Sequence, residues 1–302
     1  MAETMDSVQN QTWPNLVHVV LDNNSTDGTA RIIENYRDAA IPVLAFRNDT
    51  TVPIKENWNA AFERVPAAAV YTKLLCADDT LYPDAVAEMV ALAETDPEIG
   101  VVGCLHDCMG GVEDFFWPKD QTVFDSMDAI RKILLREGVL MPVQLLMRKS
   151  VTDHRTPLFQ PPVPGGYDMD AMLELITRSK FGFVHKSLCF TRVHENTVTN
   201  TTFGSREKTW TADALYFLTT YGPAALGERY EDELRRFRHY YVRRMLLWRR
   251  QGMSEVHQKR HFEGFREAGW SWGPALIADA MLDWVLIKAG VRRNWTGYPG
   301  WQ

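Results

Sequence analysis

The stretch from Tyr71 to Pro83, YTKLLCADDTLYP, decides the fold that this sequence predicts. Apolar residues up to Leu75 are typical of a buried strand, the adjacent carboxylates Asp78 and Asp79 follow it, and Pro83 favours the start of a helix. Ligands of open α/β sheets gather at the carboxyl ends of strands, and Mg²⁺ is commonly held by one or two carboxylates together with substrate phosphates. The stretch therefore indicates a metal and nucleoside diphosphate site. A simpler interpretation is a solvated turn or a helix cap.

Strands and helices alternate on both sides of this stretch. Short runs rich in β-branched residues predict strands, and longer amphipathic runs predict helices. The predicted strands are Leu16–Leu21, Val43–Phe46, Tyr71–Leu75 and Gly100–Leu105, and the predicted helices are 2–11, a segment ending near Arg37 with Thr26 or Asp27 as its cap, Asn57–Arg64 and Pro83–Glu94. Such alternation favours an α/β fold with a mostly parallel sheet, right-handed crossovers and flanking helices.

The charge of the chain is unevenly distributed. The 302 residues are 45% hydrophobic and carry a net charge of -6, which argues against general nucleic-acid binding. Residues 1–204 contain 17 Lys and Arg against 28 Asp and Glu, whereas residues 205–302 contain 16 against 11. We therefore predict two domains, 1–204 and 205–302, that face different partners.

The cysteines and the apolar segments favour a cytoplasmic protein. Four cysteines in a chain of this length do not form a disulfide framework, and the sequence CLHDC at residues 104–108 lacks a second pair at zinc spacing. The first 13 residues, MAETMDSVQNQTW, have no basic or apolar region of the kind found in a secretory signal. The apolar run Pro274–Gly290 is too short and too charged for a membrane span.

Four motifs resemble the family 2 glycosyltransferases, the inverting group with the GT-A fold. SVQNQTWPNLVHVVLDNNSTDGT is similar to the family's first helix, second strand and Asp-rich loop. NWNAAFERV and YTKLLCADDTLYPDAVAEMV are similar to its metal-binding region, GGYDMDAMLEL to its catalytic-base segment, and FTRVHENTVT to the Arg-x-His segment that closes the domain. The resemblance covers residues 1 to about 200 and implies a Rossmann-like GT-A domain over 1–204, followed by a helical appendage over 205–302.

Two features depart from the family pattern. The strand that normally precedes the first helix is absent, so we expect either a start codon assigned too late or a truncated copy. Cys76 stands where many members have the first Asp of an Asp-x-Asp motif, which leaves metal binding to Asp78, with Asp79 as the second candidate.

The resemblance implies a set of donor-binding residues. Asp22 and Asn23 would hydrogen-bond the base or ribose of a nucleoside diphosphate sugar, and Asp78 and Asp79 would hold Mg²⁺ or Mn²⁺. His194 would approach the metal or the diphosphate, with Arg192 supporting the same anion. For Asp22 an equally simple interpretation is a tight turn that its side chain stabilises.

The resemblance also assigns the general base to Asp168, with Asp170 as the alternative. The base would accept the proton of the acceptor hydroxyl during a single inverting displacement. On the residues alone, Asp168 fits equally well as a helix N-cap, with Asp170 favourable to the helix dipole. Trp117 would either stack on a sugar ring or pack in the core.

The C-terminal part is predicted to be helical. Apolar residues recur there at intervals of three and four, and arginines surround them. The stripe consists of Leu234, Phe237, Tyr241, Met245 and Trp248. Together with the apolar residues 275–277 and 281–287, it would either seat the protein on an anionic membrane surface or pack on the catalytic domain.

These observations predict a cytoplasmic, metal-dependent inverting glycosyltransferase, at the inner face of the membrane if the acceptor is lipid-linked. Its donor would be a nucleoside diphosphate sugar, its acceptor a saccharide or a lipid-linked molecule, and its setting polysaccharide or cell-envelope glycan synthesis. The alternatives are a non-catalytic, truncated glycosyltransferase-like binding or scaffold protein and, third, a nucleotidyltransferase. The nucleotidyltransferase is disfavoured because no Gly-rich, basic loop is present to cradle a triphosphate.

Overall fold

The computed structural model describes residues 1–108, 111–112, 117–135, 142–160, 165–192 and 209–295. The chain divides into two compact units. The first, here the sheet unit, comprises Met1–Ala129, Gly138–Pro162 and Tyr167–Val193, and the second, the helical unit, comprises Ile130–Glu137, Val163–Gly166 and His194–Gln302. The predicted domain boundary at 204/205 lies outside the described residues.

The sheet unit alternates strands and helices, as predicted. Its helices are Ala2–Gln9 (α1), Thr29–Glu34 (α2), Ile54–Phe62 (α3), Ala85–Ala93 (α4), Ser126–Leu134 (α5, which runs into the helical unit), Lys149–Thr152 (α6) and Tyr167–Thr177 (α7). Its strands are His18–Asp22 (β1), Val43–Arg47 (β2), Tyr71–Thr72 (β3), Thr80–Leu81 (β4), Ile99–Cys108 (β5), Gly111–Val112 (β6), Val123–Phe124 (β7), Leu146–Arg148 (β8) and Lys180–Thr191 (β9). A 3₁₀ turn covers Pro142–Gln144.

The strands form two sheets. Strands β1 and β2 pair in parallel, and a larger sheet runs in the order β3-β8-β5-β9-β4, with β6 on β5 and β7 on β9. Within the larger sheet, β5 and β9 are parallel, whereas the other pairs, such as β3 with β8, are antiparallel. The α/β class is confirmed, but the pairing is more mixed than the predicted mostly parallel sheet. Local periodicity gives the order of the elements, and it does not give the neighbours of strands that lie far apart in sequence.

The central strand β5 and the helix α4 form the core of the sheet unit. Met89 and Ala93 of α4 are fully buried against Ile99 and Cys104 of β5. Apolar residues cover both faces of β5, as expected for a strand inside a sheet with packed faces. This core fixes the two strands, β3 and β9, whose ends position the candidate site.

Strand β3 is shorter than the predicted Tyr71–Leu75. The ladder with β8 ends at Thr72, and the next residue, Lys73, donates its ammonium group to the carbonyl oxygens of Leu145, at 3.3 Å, and Val143. At Lys73, hydrogen bonds from the side chain follow the backbone pairing of β3 with β8. The strand therefore ends several residues before Asp78 and Asp79. The alternation of apolar residues does not reveal where the pairing ends.

The helical unit contains four long helices. They are Thr209–Leu226 (α8), Tyr230–Arg250 (α9), Glu255–Glu267 (α10) and Pro274–Lys288 (α11), with a 3₁₀ turn at Gly227–Arg229. The helical stripe predicted around Phe237 and Tyr241 is confirmed, and it packs against Phe265 of α10 and Ala280 of α11. Membrane contact through this stripe was therefore a wrong prediction, because its side chains form the core of the unit. Membrane contact through the later apolar residues 275–277 and 281–287 stays a prediction. Among the described residues, no helix has the length and apolar character needed to cross a bilayer.

Candidate active site

The acidic pair lies in a short loop, Cys76–Asp79, that we call the acid loop. The amide of Asp79 donates to the carbonyl oxygen of Cys76 at 3.1 Å, which closes a turn. Helix α1 supports this turn from outside, since the Thr4 hydroxyl donates to the carbonyl oxygen of Ala77 at 2.8 Å. The loop is thus held by its own backbone and by a helix that precedes it by about 70 residues.

Arg192, directly after β9, clamps the acid loop. Its amide donates to Oδ1 of Asp79 at 3.1 Å, and its guanidinium donates to the carbonyl oxygen of Asp78 at 3.2 Å and pairs with Glu3 of α1. Asp79 is buried and Asp78 is partly buried. The predicted support of a donor anion by Arg192 is not tested by these contacts. What they establish is that Arg192 joins α1, the acid loop and the end of β9.

Burial and repulsion between neighbouring acidic groups raise pKa values in the acid loop. Desolvation raises the pKa of Asp79 to about 6, against the opposing effect of Arg192. Desolvation also raises the pKa of the Cys76 thiol, and the charges of Asp79, Asp78 and Asp168 raise it further. Three carboxylates therefore lie near enough to the thiol to raise its pKa, and the site concentrates negative charge in a partly desolvated space.

Asp168 lies in the first turn of α7. Its Oδ1 accepts the Met169 amide at 2.8 Å, and burial raises the pKa of the carboxyl to about 6. Beside it is a cavity of about 20 Å³ with apolar walls that include Leu74, Phe159 and Met172. Such a volume holds about one water molecule, so the cavity is too small to be a substrate pocket, and its apolar walls line one side of Asp168.

Asp170 faces a different environment from Asp168. Its side chain is buried, and its Oδ2 accepts a guanidinium N–H of Arg155 at 2.5 Å. Arg155 is itself buried, donates to the carbonyl oxygen of Leu158 at 2.7 Å and lies 3.9 Å from Glu174. Asp170 therefore balances a buried cation beneath the first turn of α7.

This contrast gives a prediction for stability. The variant Asp170→Asn leaves the Arg155 charge without its closest partner, and we expect it to lower the free energy of unfolding by about 3–5 kcal/mol. Chemical denaturation followed by circular dichroism measures the change. The matched variant Asp168→Asn, two residues away on the same turn, should not destabilise the protein. Equal losses in the two variants would contradict the assignment of Asp170 as the structural member of the pair.

The predicted base-binding residues lie at the end of β1 and organise a turn. Asp22 is buried, accepts the Ser25 amide at 2.9 Å and pairs with Arg47, which is its register partner on β2. Asn23 accepts the Val52 amide at 3.0 Å and donates to the Val52 carbonyl oxygen at 2.8 Å. The turn interpretation of Asp22 is confirmed, and contact with a nucleotide base stays a prediction.

Arg47 was not predicted from the sequence. The available signal was a charged residue directly after each of two predicted strands, Asp22 after the first and Arg47 after the second, because parallel pairing places the two opposite each other. Arg47 also donates to Oδ1 of Asn24 at 3.0 Å and to the carbonyl oxygen of Ser25 at 2.8 Å. It therefore holds the whole turn that follows β1.

The outcomes differ for the two remaining predicted residues, His194 and Trp117. His194 lies outside the described residues, so its approach to a metal or diphosphate stays a prediction. Trp117 is 2% exposed and packs on Phe124, Phe181 and Phe183, with ring centroids 4.7–5.4 Å apart. The core-packing interpretation of Trp117 is confirmed.

The residues present fit one kind of metal site. Among the described parts of the chain, no group of three His, Cys, Asp or Glu side chains is arranged to hold an ion. The negative charges of Asp78, Asp79 and Asp168, which together raise the pKa of the Cys76 thiol, nevertheless favour a nearby cation. Asp78 and Asp79 therefore fit a Mg²⁺ or Mn²⁺ ion that takes its remaining ligands from substrate phosphates and water.

Solved structures with a similar fold include a mannosyltransferase and a UDP complex. S. aureus TarS residues 1–349 in complex with UDP matches with a TM-score of 0.56 at 17% identity, covering 79% of this chain and 67% of that one. A second structure of the same TarS fragment gives 0.59 at 15% identity, covering 87% and 74%. The mannosyltransferase PcManGT from Pyrobaculum calidifontis, in complex with GDP-Man and Mn²⁺, gives 0.55 at 12% identity, covering 97% and 77%. At these identities the likeness establishes the fold, which is the predicted GT-A type.

The sequence itself matches a family model. A comparison with curated proteins finds no match. The model described as Glycosyl transferase family 2 matches residues 1–156, which is more than half of the chain and includes the turn after β1 and the acid loop. The chain therefore belongs to glycosyl transferase family 2, and the resemblance noted in its sequence is confirmed.

Proposed function

We propose that this protein is a metal-dependent, inverting glycosyltransferase. It moves a sugar from a nucleoside diphosphate sugar to a hydroxyl group of a saccharide or lipid-linked acceptor, in polysaccharide or cell-envelope glycan synthesis. The observation that supports the proposal best is the group of three carboxylates around Cys76, two from the acid loop and one from α7. Inverting transfer uses a base for the acceptor hydroxyl and charge neutralisation at the departing diphosphate, and these carboxylates would serve both purposes.

Asp168 is the proposed general base. A carboxyl with a pKa of about 6 is ionised at neutral pH and is a stronger base than an ordinary aspartate. It accepts the proton of the acceptor hydroxyl while that oxygen forms a bond to the anomeric carbon. The bond from the anomeric carbon to the phosphate oxygen breaks in the same displacement, and the nucleoside diphosphate leaves from the opposite face.

The acid loop is the proposed diphosphate end of the site. Asp78, with Asp79 beside it, would hold the divalent cation. When bound, the cation neutralises the charge that develops on the departing diphosphate. Arg192 keeps the loop in place through the Asp78 carbonyl oxygen and the Asp79 carboxylate. Asp22 and Asn23 would meet the base or ribose, and His194 the diphosphate.

Two similar structures hold ligands that guide the choice of donor. One contains UDP, and the other contains GDP-Man with Mn²⁺. Both ligands contain a nucleoside diphosphate, which agrees with the proposed donor class for this chain. We place the reaction in the cytoplasm, at the inner face of the membrane where the acceptor is lipid-linked.

Calorimetry tests the proposal directly. The purified chain is titrated with UDP and with GDP, in MnCl₂ and again in EDTA. We expect saturable heat with one of the two nucleotides and its loss in EDTA, because the proposed cation joins Asp78 to the phosphates. Hydrolysis of the matching nucleotide sugar is then measured under the same two conditions.

A second candidate is favoured by one residue. Cys76 occupies the centre of the acid cluster, at a position where many relatives have an acid, and a thiol with a raised pKa does not contribute negative charge to a cation. A glycosyltransferase-like binding protein without catalysis would show no metal-dependent heat and no donor hydrolysis. Metal-dependent heat together with hydrolysis would exclude it.

A further inference from the structure

Helix α11 is apolar on two opposite faces. Its inward face packs into the helical unit through Ala280, which is fully buried, and through Leu276 and Ile277. Its opposite face, here the outer face, has only Ala, Met, Leu and Val at helical spacing. The residues are Ala278, Met281, Leu282, Val285 and Ala289. Within the helical unit, the side chains of Met281, Leu282 and Val285 are 44%, 58% and 60% exposed.

The two acids of α11 do not interrupt the outer face. Asp279 pairs with His239 of α9 at 2.7 Å, and Asp283 is buried. Asp283 accepts from Arg243 at 2.8 Å and from Arg292 at 3.2 Å, and these cations hold its pKa below the ordinary value although burial opposes ionisation. The charges that make the sequence of α11 look amphipathic are thus directed to its sides and its inward face.

A helix in a soluble protein normally exposes polar side chains on the face opposite its core, so an apolar outer face is normally covered. The outer face forms a continuous apolar strip along a helix of 15 residues, and Val291, which is 69% exposed, extends it. Isolated exposed apolar residues need no explanation, whereas a continuous strip marks a surface that another body covers.

The charges at the end of the strip indicate what covers it. Three exposed basic residues lie at this end. Lys288 is the last residue of α11, and Arg292 and Arg293 follow the helix. Lys288 lies 4.6 Å from the ring of Trp284, an amphipathic side chain that is half-buried beside the strip. An apolar helix face bordered by Trp and basic residues is the arrangement that lies in the interface of an anionic bilayer.

A second copy of the chain fits this surface less well. In an antiparallel pair, the basic residues of one copy would meet the amino-terminal end of α11 in the other. That end has no acid in its first turn and carries the positive end of the helix dipole. Anionic headgroups supply the missing negative charge.

We infer that the outer face of α11 is a membrane-binding surface that inserts into the interfacial region of an anionic bilayer. The helix lies in the plane of the bilayer surface, and Lys288 and Arg293 contact lipid phosphates. This inference concerns the helical unit alone and does not depend on the proposed transfer reaction.

Vesicle sedimentation of the full chain tests the inference. The probes are vesicles of phosphatidylcholine alone and vesicles of phosphatidylcholine mixed with phosphatidylglycerol. We expect the wild-type protein to sediment with the mixed vesicles and much less with the neutral ones. The double variant Leu282→Glu with Val285→Glu should bind at least about tenfold more weakly, since two side chains that enter the bilayer interface would become charged. Val256→Glu, a control at a 77% exposed position on α10, should bind like the wild type.

The basic residues are tested separately. Lys288→Gln with Arg293→Gln should weaken binding to the mixed vesicles by roughly fivefold for each residue. Thermal melting of each variant verifies that it is folded. Wild-type protein that stays in the supernatant, or variants that bind as well as the wild type, would overturn the inference. So would light scattering that shows a wild-type dimer separated by the two glutamates, which would assign the face to a second copy. No sugar donor is present in these assays, so their failure is distinguishable from failure of the proposed transfer reaction.

Discussion

The variant Asp168→Asn is expected to lose sugar transfer while the protein becomes more stable at neutral pH. Loss of the base should lower kcat by roughly 10²–10⁴-fold. The pKa of Asp168 is raised to about 6, so the folded state favours the neutral carboxyl. That contribution to stability is complete below the unfolded pKa near 4 and is lost as the pH rises through 6. An uncharged Asn therefore relieves a cost of up to about 3 kcal/mol at pH 7 and above.

The same pKa gives the pH dependence of the wild-type enzyme. The base must be ionised to accept a proton, so kcat/KM should rise with pH through about 6 and then level off. Denaturant unfolding of wild type and Asp168→Asn at pH 4 and pH 8 measures the stability difference, which should appear only at the higher pH. Undiminished transfer by the variant would refute the base assignment, and a less stable variant at pH 8 would refute the desolvated environment.

The variant Asp78→Asn is expected to lose metal-dependent donor binding and transfer together. Asn keeps the shape of the side chain and one oxygen, but it removes the charge that holds a divalent cation. We expect kcat to fall by roughly 10²–10³-fold, as for the loss of one group that stabilises developing charge. Calorimetry with the nucleotide in MnCl₂ should give heat no larger than in EDTA. The fold should be kept, because the Arg192 guanidinium donates to the backbone carbonyl oxygen of Asp78, which Asn retains.

A matched control for Asp78→Asn is Asp84→Asn. Asp84 precedes α4 and pairs with Lys186 on the surface, where such a pair contributes little. This variant should bind nucleotide and transfer sugar like the wild type. Full activity in Asp78→Asn, or an equal loss in both variants, would remove Asp78 from the metal site.

The order of elements was predictable from the sequence, but their pairing was not. Short β-branched runs and amphipathic runs gave the strands β1, β2, β3 and β5 and the helices α1 to α4 to within a few residues. The antiparallel neighbours were missed because pairs such as Thr80 with Phe190 join segments more than 100 positions apart. No local period reports such a pair.

The sequence was enough to name candidate site residues. It was not enough to predict the burial or the partners of their side chains. Asp168 and Asp170 occupy the same turn and have the same side chain, yet one lies against an apolar cavity and the other on a buried arginine. The difference depends on Arg155 and Phe159, which lie in a segment that precedes the turn in the sequence. The stripe on α9 was recognised as apolar, whereas its partner depended on three other helices.

The link between Glu3 and Arg192 has a consequence for biosynthesis. These residues are 189 positions apart, and together they hold the acid loop. A ribosome releases the chain from its amino end, so α1 and the acid loop are synthesised long before β9. Their contacts with Arg192 can form only after β9 has been released. The site is therefore completed late, and a nascent chain halted before Arg192 would present its carboxylates without the arginine that orders them.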